Sequence, residues 1–181
     1  MASFGARIVG AMQLKAATFE DVEHDQTATG QAAVVVLLAQ VAQGLGALRY
    51  GSVSSVVLAV VAGCAGWVIG AAVVLVVGTR LFPAKTTEAD MGQMLRTLGF
   101  AEAAGLIGVL GLVPVVGWIA YVVCSVWILI AMVIAVRQAL DYDSTTRAIV
   151  VCIVAWVVML MIQLVAAFFG VGAQVVANQY N

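Results

Sequence analysis

The chain has 181 residues, 64% of them hydrophobic and only 9% charged, whereas a soluble domain carries about a quarter charged residues. That mixture cannot cover a water-soluble globule. A net charge of −1 provides no basic face, which excludes nucleic-acid binding.

The charges fall in a few short stretches, leaving Thr27 to Leu48, Gly51 to Thr79, Ala103 to Val136 and Ala148 to Asn181 without any. About 20 helical residues cross a hydrocarbon layer roughly 30 Å thick. Runs such as Val34-Val35-Val36-Leu37-Leu38 do not alternate as barrel strands would. In lipid every backbone amide must be paired within its own segment, so the many valines are read as helical despite their strand preference. The expected fold is all-α, an integral membrane bundle of five transmembrane helices with a short interfacial helical segment at the N-terminus.

Residues 1–26 form the cytoplasmic or interfacial segment, and residues 27–181 the transmembrane domain. Phe4, Ile8 and Met12 recur at helical spacing, with Arg7 and Lys15 placed to reach toward phosphate headgroups. The apolar stretch there is too short for a secretory signal, so the N-terminus is expected to be retained. A second short helix is expected from Thr18, with Asp25 or Thr27 capping the first span. His24, among Glu20, Asp21, Glu23 and Asp25, is read as part of a solvated acidic face.

Span one is expected over about Thr29 to Leu48 and carries Gln40 and Gln43 on one face. Arg49 to Ser52 then form a tight helical hairpin to span two, about Val53 to Val77. The connection from Gly78 to Gly99 is the longest polar one, with Thr86 or Thr87 placed to cap the next helix. Span three, about Leu98 to Val113, is short and contains Glu102. Pro114 and Gly117 mark the turn into span four, about Val116 to Val136. Span five follows from about Ala148 to Phe169 and contains Gln163.

Short loops rich in lysine and arginine stay in the cytoplasm. With the N-terminus inside, Arg7, Lys15, Arg80, Lys85, Arg96, Arg137 and Arg147 are internal, and Arg49 alone is external. Five spans then put the C-terminus outside a cell membrane, plasma or inner.

Glu102 is the candidate for intramembrane chemistry, because an ionisable group at membrane depth is costly and commonly functional. The plainer reading keeps it at headgroup level, paired with Arg96 or Arg137. Gln40, Gln43 and Gln163 either line a polar path with it or hold helices together by hydrogen bonds. Gly66 and Gly70, and Gly105, Gly108 and Gly111, are expected at helix-packing faces. Cys64, Cys124 and Cys152 read as small hydrophobes. No P-loop, nucleophile elbow or zinc-protease motif is present, so no catalytic residue, metal or cofactor is expected. The partners expected are membrane lipids, with a second copy of the chain or other membrane proteins.

Several segments together resemble the bacterial branch of the Yip family. They are Phe19-Glu20-Asp21-Val22-Glu23-His24-Asp25 followed by Ala28-Thr29-Gly30-Gln31-Ala32, then Leu95-Arg96-Thr97-Leu98-Gly99-Phe100-Ala101, and Pro114-Val115-Val116-Gly117 with Trp127. The resemblance implies five spans and a cytoplasmic N-terminus, in agreement with the charge count. Eukaryotic relatives are linked with trafficking, Rab GTPase binding and membrane shaping, but their acidic DLYGP-like motif does not occur here, so Rab binding is not carried over. For bacterial relatives the resemblance implies membrane organisers or accessory subunits.

Overall fold

In the structure, a computed structural model, residues 2–48, 51–85 and 87–179 are described, with side chains as far as Phe169. Seven α-helices follow in order: α1 (Phe4–Met12), α2 (Ala16–His24), α3 (Ala28–Ala47), α4 (Val53–Val76), α5 (Met91–Ala101), α6 (Val116–Ala139) and α7 (Thr145–Gln179). Among the described residues there is no strand. Among the described residues five helical segments are long and apolar enough to cross a membrane: Ala28–Ala47, Val53–Leu81, Met91–Leu112, Val116–Ala139 and Thr145–Phe169. The chain is a multi-pass membrane protein.

The helix starts differ from the sequence reading in instructive ways. Ser3 caps α1, its hydroxyl accepting from the Ala6 amide at 3.3 Å. α2 begins at Ala16, two residues before the expected Thr18. Before α5, Asp90 and Gln93 form a capping box, with bonds of 2.9 and 2.7 Å satisfying two amides at once. Thr87 is occupied elsewhere: its hydroxyl donates to the Leu140 carbonyl at 3.1 Å and accepts from the Ala84 amide at 2.9 Å. Thr86 and the Arg49-Tyr50 part of the first hairpin lie outside the described residues.

The third span departs most from expectation. It starts at Met91 and continues past Ala101 as a 3₁₀-helix over Glu102–Leu112. Such helices seldom exceed three or four residues, because side chains three apart eclipse. Here that eclipsing is used. Gly105, Gly108 and Gly111 recur every three residues, which is one full 3₁₀ turn, so all three line one edge and α3 packs on it. The intervening pairs, Leu106-Ile107 and Val109-Leu110, and Leu112-Val113 just after them, are half-buried or exposed. A rise of about 2.0 Å per residue makes these 11 residues about 22 Å long, against about 16 Å as α-helix. Glu102 falls near the middle of the 22-residue span Met91–Leu112.

α4 widens into a π-turn over Val77–Leu81. The Tyr142 hydroxyl lies 3.0 Å from the Gly78 carbonyl and 2.7 Å from that of Phe82, meeting acceptors that the wide turn leaves open. The buried core gathers at the end of the bundle beside α1 and α2. It combines Phe19 and Val22 of α2, Met94 and Phe100 of α5, Ala32 and Val35 of α3, and Ala135 and Val136 of α6.

Candidate functional site

Two features stand out: a polar cap at the N-terminal end of the bundle, and a cavity at membrane depth. The cap is built around Arg7. This side chain is 1% exposed and does not extend toward headgroups as expected. Its guanidinium donates to Asp21 at 2.8 Å, to Asp25 at 2.7 Å and to Gln31 at 3.0 Å, tying α1 to α2 and to the start of α3. Asp21 and Asp25 are four apart, so α2 and its end present both acids to one partner. An arginine left near this core without them would be too costly to bury.

Arg96 makes the second tie. Its guanidinium donates to the carbonyls of Val22 and Glu23 at the last turn of α2, where helix carbonyls lack partners. Its third neighbour is the Thr29 hydroxyl at 3.5 Å. Gln93 donates to the Glu23 carboxylate at 3.2 Å, and Gln138 of α6 to Glu20 at 3.2 Å. Trp127 of α6 donates its indole N–H to the Met12 carbonyl at 2.7 Å, closing the end of α1. Phe19, Val22, Met94 and Phe100 are fully buried beneath these bonds, each contributing about 2 kcal/mol.

The cavity lies among α4, α5, α6 and α7 and measures about 690 Å³. Its walls are almost wholly apolar, with Gly66, Gly70, Trp67 and Trp156 among the lining residues and Glu102 and Gln163 as polar groups. The pairing of Glu102 with Arg96 or Arg137 does not occur. Arg96 is committed to α2, and Arg137 bonds the Tyr142 and Asp143 carbonyls and the Thr145 hydroxyl, closing the α6–α7 loop. Glu102 has no hydrogen bond or ion pair among the described residues.

Gln40 and Gln43 lie apart from that group, lining a separate cavity of about 550 Å³ with Gly108, Gly111 and Gly117. Gln43 donates to the Ala39 carbonyl of its own helix at 3.3 Å. The four polar candidates therefore divide into two pairs, Glu102 with Gln163 and Gln40 with Gln43.

The glycines divide too. A Cβ on Gly105 would meet Ala39 Cβ at 3.0 Å, one on Gly108 would meet Gln43 Cα at 3.0 Å, and one on Gly111 would meet Gly46 Cα at 2.9 Å. Gly66 and Gly70, expected to pack against another helix, have nothing within 4 Å of where a Cβ would lie. They are the cavity's open wall. Pro114 and Gly117 bound the turn between the 3₁₀-helix and α6, where a Cβ on Gly117 would lie 2.9 Å from Gly111 Cα.

A family model described as the Yip1 domain matches residues 10–167. The chain belongs to the Yip1 family. No curated protein and no solved structure matches it.

In this Yip1-domain protein the segments that carry the sequence resemblance converge on the cap. Arg96 binds the Phe19–Asp25 segment, and a Cβ on Gly99 would meet Ala32 Cβ at 2.8 Å. Phe100 meets Phe4 edge to face at 6.5 Å between centroids. Trp127 reaches α1, and only Pro114 to Gly117 lies elsewhere.

The cap is electrostatically divided. Burial pushes the Glu23 carboxyl up to about 7, reinforced by Asp141 and opposed by His24 and Arg96. Hydrogen bonds from the Thr27 hydroxyl and Arg7 hold Asp25 down to about 2. Burial alone would lower the Arg7 pKa, but its bonds and attraction to Asp21 and Asp25 reverse that and raise it. His24 is raised, first by its ring nitrogen at 2.9 Å from the Glu20 carbonyl and then by Glu23. The roles of Arg7, Arg96 and Glu23 were missed in sequence. A usable signal for Arg7 existed in Asp21 and Asp25 at helical spacing; none existed for Arg96, whose partners are backbone carbonyls.

Proposed function

We propose that this Yip1-family protein is a non-enzymatic organiser of membranes or partner proteins, acting as a scaffold or accessory subunit. The observation that carries this reading is the cap. Buried arginines at positions 7 and 96 fix α1 and α2 to α3 and α5, so these two cations serve shape. On this reading α1 and α2 give the bundle a rigid surface at the membrane boundary for lipids and protein partners. On the same reading that surface faces the cytoplasm and the C-terminus lies outside a plasma or inner membrane, an orientation that the charge bias supports.

Extraction into lipid nanodiscs at native expression, followed by native mass spectrometry, tests the proposal. A defined homo-oligomer or a stoichiometric complex with another membrane protein is expected, with tags at the two ends reporting opposite compartments. A strictly monomeric particle without partners would overturn it.

A second reading, a small transporter, draws support from Glu102 in its cavity. Gln40 and Gln43 give it no help, since they line the other cavity. Proton or cation flux in proteoliposomes that is lost in Glu102→Gln would favour it, and absence of flux would remove it.

A further inference from the structure

Glu102 sits at mid-span with no partner among the described residues, in a cavity whose walls offer it almost nothing polar. A carboxylate at that depth is stable only if neutralised or paired. The cavity also holds two tryptophans. The Trp67 indole is fixed by its N–H donating to the Leu95 carbonyl at 3.2 Å, while Trp156 is exposed along α7. A carboxylate beside aromatic surface in an apolar cleft, here one that opens along Leu129, Ile153 and Trp156, is the chemistry that recognises large organic cations, where the charge meets the acid and the rings meet the body of the ligand.

The alternatives fit less well. A small metal ion needs several oxygen, nitrogen or sulfur ligands to replace its water. Among the described residues no three acid, histidine or cysteine side chains cluster. A hydrocarbon chain would fill the volume but leave Glu102 unmet, and an anion would be repelled. The volume of about 690 Å³ falls within the roughly 300–1,000 Å³ of small-molecule sites.

We propose that the cavity among α4, α5, α6 and α7 binds a lipophilic organic cation, with Glu102 supplying the counter-charge and Trp67 and Trp156 the aromatic wall. The proposal stands whether the protein organises partners or moves solutes, because it concerns equilibrium binding alone.

Equilibrium dialysis of the purified full chain in nanodiscs, with empty nanodiscs subtracted, tests it using tetraphenylphosphonium. Tetraphenylborate has the same shape and the opposite charge. The expected result is a single saturable site for the phosphonium and none for the borate, with Glu102→Gln weakening binding by about tenfold or more. Gly66→Leu is the second variant. A Cβ there would meet nothing within 4 Å and the rest of the side chain would take up cavity volume, so binding is expected to fall, with the melting temperature read alongside to show that the bundle stays folded. Equal binding of phosphonium by the parent and Glu102→Gln, equal binding of the borate, or no uptake above empty nanodiscs would each overturn the proposal.

Discussion

Arg7 and Asp25 meet at 2.7 Å with both side chains buried, 18 residues apart in sequence. The pair joins the first helix of the chain to the residue that ends the second, and Asp25 in turn accepts from the Thr27 amide at 2.9 Å and hydroxyl at 2.6 Å, just before α3. One carboxylate therefore organises three helices. Removing its cation leaves a buried acid uncompensated, which costs far more than the pair contributes when intact.

Arg7→Leu is accordingly expected to release α1 and α2 while leaving the spans in place. Hydrogen exchange of amides between Phe4 and His24 is expected to quicken by about tenfold or more, with exchange in α6 unaltered. Unchanged protection over α1 and α2 would contradict the cap.

The cap is also expected to loosen as pH rises. Glu23 is 2% exposed and its carboxyl pKa is raised to about 7. Its stabilising contribution is fully present below its ordinary value near 4.5 and is lost as pH climbs through about 7. His24, also raised, acts in the same direction. Glu20, Asp141 and Arg96 are the charged neighbours, and Gln93 is the amide donor. Asp25 acts oppositely, since its contribution is full above about 3.8 and lost as pH falls through about 2. Hydrogen exchange over α2, corrected for intrinsic rates, should show lower protection at pH 8 than at pH 5. Glu23→Gln should flatten that difference.

The two glycine sets should respond in opposite ways to one methyl group. Gly111→Ala puts a Cβ about 2.9 Å from backbone atoms of Gly46, which cannot swing aside, so destabilisation of about 1–3 kcal/mol is expected. Gly70→Ala meets nothing and is expected to be neutral or to stabilise by up to about 1 kcal/mol. Thermal unfolding of the two variants in one detergent decides the matter.

Val115 lies at φ 68° and ψ −52° in the turn after the 3₁₀ span, with the Val116 amide donating to the Pro114 carbonyl at 2.8 Å. This is a γ-turn of the rare, strained hand, occupied by a β-branched residue that is 82% exposed. Val115→Gly is expected to raise stability by about 1 kcal/mol, since strain is relieved and little packing is lost. A lower melting temperature would show that the turn is held by contacts outside this chain.

The spans were legible because length, apolarity and missing charge are properties of the chain alone, and lipid leaves the backbone few other choices. Glu102 was legible as an oddity for the same reason. The glycine period of three in Gly105, Gly108 and Gly111 was visible as well. Its conformation was not, because only the close approach of α3 makes an 11-residue 3₁₀ run a good solution.

What lay beyond reach was partnership. Arg7 looked like a headgroup contact because amphipathic spacing reveals which way a side chain leans but not what it meets. Gly66 and Gly70 looked like Gly105 and Gly108, yet one pair borders open space and the other touches α3.

The sequence by itself determined the solvent, the number of crossings and the family of this protein, since each follows from the order of apolar and charged residues along one chain. The tertiary structure alone decided that the N-terminal helices lock onto the bundle, that Glu102 and Gln163 share a cavity, and that Gln40 and Gln43 do not. Those outcomes depend on side chains far apart in sequence meeting at distances of a few ångströms, and a linear pattern does not encode such distances.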